Sequence, residues 1–147
     1  MKIAIIGAGA IGGYVGVKLA LAGEDVTFVA RHRNFEAIKS HGLHLVHPDG
    51  GEAHARGMHV TEHYTGAGPF DVVLLALKAN QLASVAPRVE SLCHERTMVV
   101  PMQNGIPFWY FEGQPGPHAG RAVAAVDPHG KIRDAIPARR IVGWRVS

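Results

Sequence analysis

The segment Gly7-Ala8-Gly9-Ala10-Ile11-Gly12 constrains this chain most, because three glycines at fixed spacing join an apolar run to a helical one. Lys2 to Ile6, rich in isoleucine, reads as a short strand covered on both faces, as buried parallel strands are. Tyr14 to Ala22 reads as a helix with Val15, Leu19 and Ala22 on one face, closed by Gly23. Val26 to Ala30 is a second apolar strand. A G-x-G-x-x-G turn is a weak signal alone and a strong one between a buried strand and a helix. Here each glycine has its own task. Gly7 allows the tight turn, Gly9 lets the backbone approach a pyrophosphate, and Gly12 lets helix and strand pack closely. The helix start adds free N–H groups and the positive end of its dipole. Residues Gly7, Ala8, Gly9, Ala10, Ile11 and Gly12 are therefore expected to bind the phosphates of a dinucleotide.

The remaining chain continues the alternation. Asn34 is expected to cap a short helix through Ser40, closed by Gly42. Leu43 to Val46 and Glu52 to Arg56 read as a hairpin around Pro48-Asp49-Gly50-Gly51. Asp71 to Leu77 is the clearest strand, and an amphipathic helix from Gln81 to Cys93 follows, with a kink or restart at Pro87. Thr97 to Met102 is another strand and Gly113 to Gly120 a loop. Asp127 to Ile136 can hold a short helix, and Ile141 to Val146 a last strand. This order predicts an α/β fold of the Rossmann type, a doubly wound, mostly parallel sheet with a small hairpin excursion. A length of 147 residues suits one dinucleotide-binding domain over residues 1–147, with no second domain.

Several function classes recede on composition. The 15 Lys and Arg are scattered and the formal charge is only +3, so no nucleic-acid footprint exists, although a small anionic ligand suits that balance. Glycines from Gly7 onward break the N-terminal apolar run, so it reads as no signal peptide. No run approaches the ~20 apolar residues of a membrane span. Cys93 is the one cysteine, which precludes an intramolecular disulfide and suits a cytoplasmic location. It reads as a small buried hydrophobe at a helix end rather than a nucleophile. His41, His44 and His47 have a spacing that would suit metal ligands on a helix. Their segment reads as a strand, where residues three apart face opposite sides, and no Cys cluster or acidic partner completes a site. No metal is expected.

Cofactor choice is read at the end of the second strand. An NAD enzyme wants Asp or Glu there, roughly 20 residues past the glycines, to accept from the ribose 2′-OH. This chain has Ala30-Arg31-His32-Arg33, while Glu24 and Asp25 precede the strand and so lie at its other end. Arg31, with help from Arg33, suits a 2′-phosphate, which predicts NADP(H). Lys78 and Asn104 follow the strands Asp71 to Leu77 and Thr97 to Met102, so both are expected on the same carboxyl edge. In open α/β sheets ligands bind outside that edge. Lys78 and Asn104 are the candidates for catalytic and cofactor-binding roles in the cleft.

Taken together, GAGAIGG from Gly7, LKANQ around Lys78, and Gln103-Asn104-Gly105 resemble the ketopantoate reductases (2-dehydropantoate 2-reductases). The segment ARRIVG, Ala138 to Gly143, is similar to the last strand of that family's cofactor domain. The resemblance implies reduction of a 2-keto acid, 2-dehydropantoate, to pantoate with NADPH, on the path to pantothenate and coenzyme A. It implies that Gly7 to Gly12 hold the pyrophosphate, Arg31 the 2′-phosphate, Lys78 the cleft wall, and that Asn104 touches both cofactor and substrate. Family members continue into a C-terminal helical domain supplying a catalytic lysine, a carboxylate and most substrate contacts. These 147 residues lack it and are expected to bind NADPH without useful turnover. Lys131 matches no family motif and is assigned no role. The aromatic cluster Phe108-Trp109-Tyr110-Phe111 and the loop GQPGPHAG depart from the family and point to a divergent subgroup. The alternatives are reduction of another 2-keto acid, or a dinucleotide-binding module without catalysis. A homodimer stays open as an assembly.

Overall fold

The isoleucines of β1 (Lys2–Ile6) lie at the centre of a parallel sheet, in a computed structural model that describes residues 1–143. The order along the chain is β1, α1 (Ala10–Leu21), β2 (Asp25–Val29), α2 (His32–His41), then the strands β3 (Leu43–Val46) and β4 (Glu52–Ala55). There follow β5 (His59–Thr61), β6 (Phe70–Leu75), α3 (Ala79–Val89), β7 (Cys93–Pro101) and the short α4 (Lys131–Ala135). The main sheet runs β5-β2-β1-β6-β7 and is parallel throughout, while β3 and β4 pair as a separate antiparallel hairpin. The chain builds outward from β1 to β5, then crosses back to β6, so winding reverses between β1 and β6. A doubly wound sheet opens a crevice at that reversal.

Alternation along β1 explains its central place. Ile3 and Ile5 join Val26, Phe28, Val72 and Leu74 on one face, and Ala4 and Ile6 join Val29, Val73 and Leu75 on the other. Both faces are covered. Gly16 lets α1 close onto the first face, since a Cβ there would stand 2.2 Å from Phe28 Cζ. The second face receives Leu82, Val85, Ala86 and Val89 of α3, then Ile132 and Ile136 from the end of the chain.

The departures from expectation have local causes. α1 begins at Ala10 rather than Tyr14, and α2 at His32, so Asn34 lies in its first turn instead of capping it. Packing outweighs the low helix propensity of Gly12 and Gly13. Pro87 does not restart α3, which runs unbroken through Val89 with four buried residues against the sheet. Cys93 opens β7 rather than closing a helix, after a 3₁₀ turn over Glu90–Leu92. The expected helix from Asp127 shrinks to α4. The buried Asp127 carboxylate instead caps it from outside, accepting from the N–H groups of Ile132 at 3.1 Å and Arg133 at 3.0 Å. Of the last expected strand, Ile141 bridges Val99 in parallel, and Trp144 to Val146 lie outside the described residues. No described helix is long and apolar enough to cross a membrane.

Candidate cofactor cleft at the carboxyl edge

At the β1–β6 reversal the glycines separate into three structural roles. Gly7 has φ +102°, and a Cβ on it would stand 2.6 Å from the Ala76 carbonyl oxygen, so only glycine suits this turn. A Cβ on Gly12 would stand 2.1 Å from the Gly7 oxygen, which makes it the residue that lets α1 start so close to the strand. Gly9 differs. A Cβ there would meet nothing within 4 Å, so the protein itself does not require the absence of a side chain. Gly9 is the N-cap of α1, no side chain caps that helix, and no acidic residue occupies its first turn. Its leading N–H groups have no side-chain acceptor, and the open backbone at Gly9 could receive an anion such as a pyrophosphate.

The next strand end supplies the facing wall. Gly9, Ala10 and Ile11 line a hollow of about 420 Å³ with Lys78, Gln103 and Asn104. Lys78 is exposed and starts α3, with its N–H donated to the Gln81 side chain at 3.2 Å. Gln103 anchors this wall. Its Nε2 donates to the carbonyls of Leu75 at 2.8 Å and Leu77 at 3.2 Å, tying the end of β7 to the end of β6. Sequence reasoning placed Gln103 in a motif without a role; its side chain joins the two strand ends that carry Lys78 and Asn104. Beyond Asn104 a smaller hollow of about 170 Å³ is bounded by Leu82, Ile106, Phe108 and Trp109.

On the other side of the glycine turn, Arg31, Asn34 and Ala8 line a hollow of about 230 Å³ that also touches Tyr64 and Gln81. Arg31 is exposed and makes no ion pair among the described residues. A carboxylate does reach this neighbourhood. Glu62, just past β5, accepts the N–H of His32 at 2.8 Å. The sequence reading had no acid at this end of the second strand, because it had no β5.

Other candidates resolve differently. Burial pushes the Cys93 thiol up from its usual value, and its Sγ donates to the Val89 carbonyl at 3.2 Å, so a thiolate nucleophile is disfavoured. The expectation that histidines three apart diverge on a strand needs one correction, because an acidic partner exists. Strand pairing sets His44 opposite His54, and Glu52 Oε2 lies 3.2 Å from one ring and 3.7 Å from the other. The two rings stack at 4.0 Å and 8°. Near-parallel stacked rings aim their nitrogen lone pairs along separate planes, a poor arrangement for one shared ion, so this trio reads as an exposed surface cluster.

The family model described as ketopantoate reductase PanE/ApbA matches residues 3–107. A 2-dehydropantoate 2-reductase of Mesorhizobium japonicum is 44% identical over 97% of this chain and 44% of its own length. A crystal structure from Ralstonia solanacearum, provisionally given as a ketopantoate reductase, superposes with a TM-score of 0.89 at 44% identity, over 97% of this chain and 43% of that one. A D-mandelate dehydrogenase solved with NADH and anilino(oxo)acetate superposes at 0.71 with 26% identity, over 97% of this chain and 40% of its own. This chain thus spans less than half the length of these relatives.

Proposed function

This chain belongs to the ketopantoate reductase family, and we propose that it is the NADP(H)-binding part of an enzyme reducing 2-dehydropantoate to pantoate. One observation carries the reading: bare backbone at Gly9, Lys78 and Asn104 share a single hollow, with Arg31 in the adjoining one. The α1 N–H groups would bind the pyrophosphate, and Arg31 a 2′-phosphate through a charge-assisted contact. When bound, the reduced nicotinamide supplies hydride to the keto carbon. Asn104 would orient cofactor and substrate at the far wall, next to Gln103, whose side chain is bonded to the end of β6. Lys78 is the one titratable side chain among the described residues lining that hollow, and it would draw negative charge toward the cleft. Orientation by a second wall and a positioned acid are worth up to ~7–11 kcal/mol and about 10²–10⁴-fold respectively.

Residues 1–147 are accordingly expected to bind NADPH in calorimetric titration and to oxidise it undetectably with 2-dehydropantoate. A form extended by a helical substrate domain is expected to turn over. Equal turnover by the two forms would contradict this division of labour. A second reading, another 2-keto acid as substrate, gains from the apolar hollow of Leu82, Ile106, Phe108 and Trp109 beside Asn104. It suits a keto acid with a hydrophobic substituent, and comparing rates on such acids decides between the two.

A further inference from the structure

We infer that Glu62 is a specificity-determining residue that opposes Arg31 in the choice of cofactor; this rests on the dinucleotide reading of the cleft. β5 pairs in parallel with β2, setting Thr61 beside Val29, and Ala30 N–H donates to the Thr61 carbonyl at 3.0 Å. Glu62 therefore leaves the sheet level with Ala30, one residue before Arg31. Its Oε1 accepts the His32 N–H at 2.8 Å, one residue from Arg31. His32 has φ 51°, the one described non-glycine residue at positive φ, so the backbone turns unusually where it meets this carboxylate. Arg31, extended, provides no side-chain cap of its own. Glu62 is thus an internal anion on the donor next to the arginine that would take a phosphate.

The consequence depends on what the ribose carries. A 2′-phosphate is anionic, so it competes with Glu62 for the His32 N–H and is repelled by it, whereas Arg31 attracts it. A 2′-hydroxyl can donate to a carboxylate, the arrangement by which NAD enzymes select their cofactor. Arg31 pulls toward NADPH and Glu62 toward NADH. The native preference is the balance of the two, and it is smaller than Arg31 alone would produce.

The test titrates the native chain and Glu62→Gln with NADPH, NADH, 2′,5′-ADP and 5′-AMP. Glu62→Gln is expected to tighten NADPH and 2′,5′-ADP about fivefold, the scale of one like charge at close range in water-like surroundings. NADH and 5′-AMP should hold steady or weaken, which also shows that the variant is folded. An unchanged NADPH-to-NADH ratio, or a fall in NADPH affinity, overturns the inference while the cofactor reading stands. Native protein that binds none of the four probes overturns both. Should Glu62→Gln not fold, Glu62→Asp is one methylene shorter and withdraws the carboxylate from His32. It should raise the ratio by a smaller factor, and no rise there is equally fatal.

Discussion

The two ends of the sheet differ in how they use their polar groups. At the amino end, several charges pair within the chain. The Met1 ammonium pairs with Glu24, and Asp71 accepts from the Lys2 N–H at 2.8 Å and lies 3.3 Å from His94 Nε2. At the carboxyl end, the α1 N–H groups have no side-chain cap, Arg31 makes no ion pair among the described residues, and Lys78 stands exposed. Size does not distinguish the ends, since a hollow of about 450 Å³ at the amino edge is the larger. Open donors converging at a reversal in strand order mark a binding edge better than volume does.

Changes at the carboxyl edge should therefore remove binding and spare the fold. The largest effect is expected from Gly9→Val, which puts a branched side chain into space that no protein atom occupies within 4 Å of the first added carbon. Both NADPH and NADH should be lost, by at least about a hundredfold, with the unfolding midpoint nearly unchanged. A folded Gly9→Val protein with native affinity would show that the glycine turn faces no ligand.

Arg31→Ala comes next and should act on one cofactor only. A charge-assisted contact is worth roughly 1.5–3 kcal/mol, so NADPH should weaken about tenfold to a hundredfold while NADH does not. Calorimetry on native and variant protein measures this directly. Equal losses for both cofactors would mean that Arg31 holds the cleft together instead of reading the 2′-phosphate.

The same contrast explains what could be read from the chain alone. The glycine turn, Lys78 and Asn104 were legible because each follows an apolar run, and runs of that kind become parallel strands with a common edge. Glu62 was not legible. β5 is three residues long, too short to show a period, and Glu62 meets His32 across 30 positions in sequence. The hairpin was legible as a hairpin, yet the meeting of His44, Glu52 and His54 required its register. Beyond Asn104 the sequence suggested a loop over Gly113 to Gly120, then a short helix and a last strand. The order there comes from single tertiary devices, such as the buried Asp127 carboxylate and the Arg140 guanidinium bonded to the His94 carbonyl, which leave no pattern in sequence.

The smallest effect belongs to the amino edge, and it should appear in stability without touching the cofactor. The Lys2 N–H bond first, and His94 second, hold the Asp71 carboxyl below its ordinary value near 3.8. A carboxylate favoured in the folded state stabilises the fold above the unfolded-state value, and that contribution fades as pH falls through the lower folded value. Asp71 is half-exposed, so solvent screens these contacts and the contribution is small. Asp71→Asn keeps an oxygen for the Lys2 N–H and removes the charge. At neutral pH the variant should unfold at a slightly lower denaturant midpoint than native protein. The gap should narrow as both are titrated below about pH 4, where the unfolded-state carboxyl protonates first and the native one only further into acid. NADPH affinity should not move at either pH on account of this residue, because the cleft lies at the opposite end of the strands. A gap that stays constant into acid would show that Asp71 contributes through packing rather than charge. A shift in NADPH affinity would show that the two edges communicate, and their division into a self-paired end and a binding end would fail.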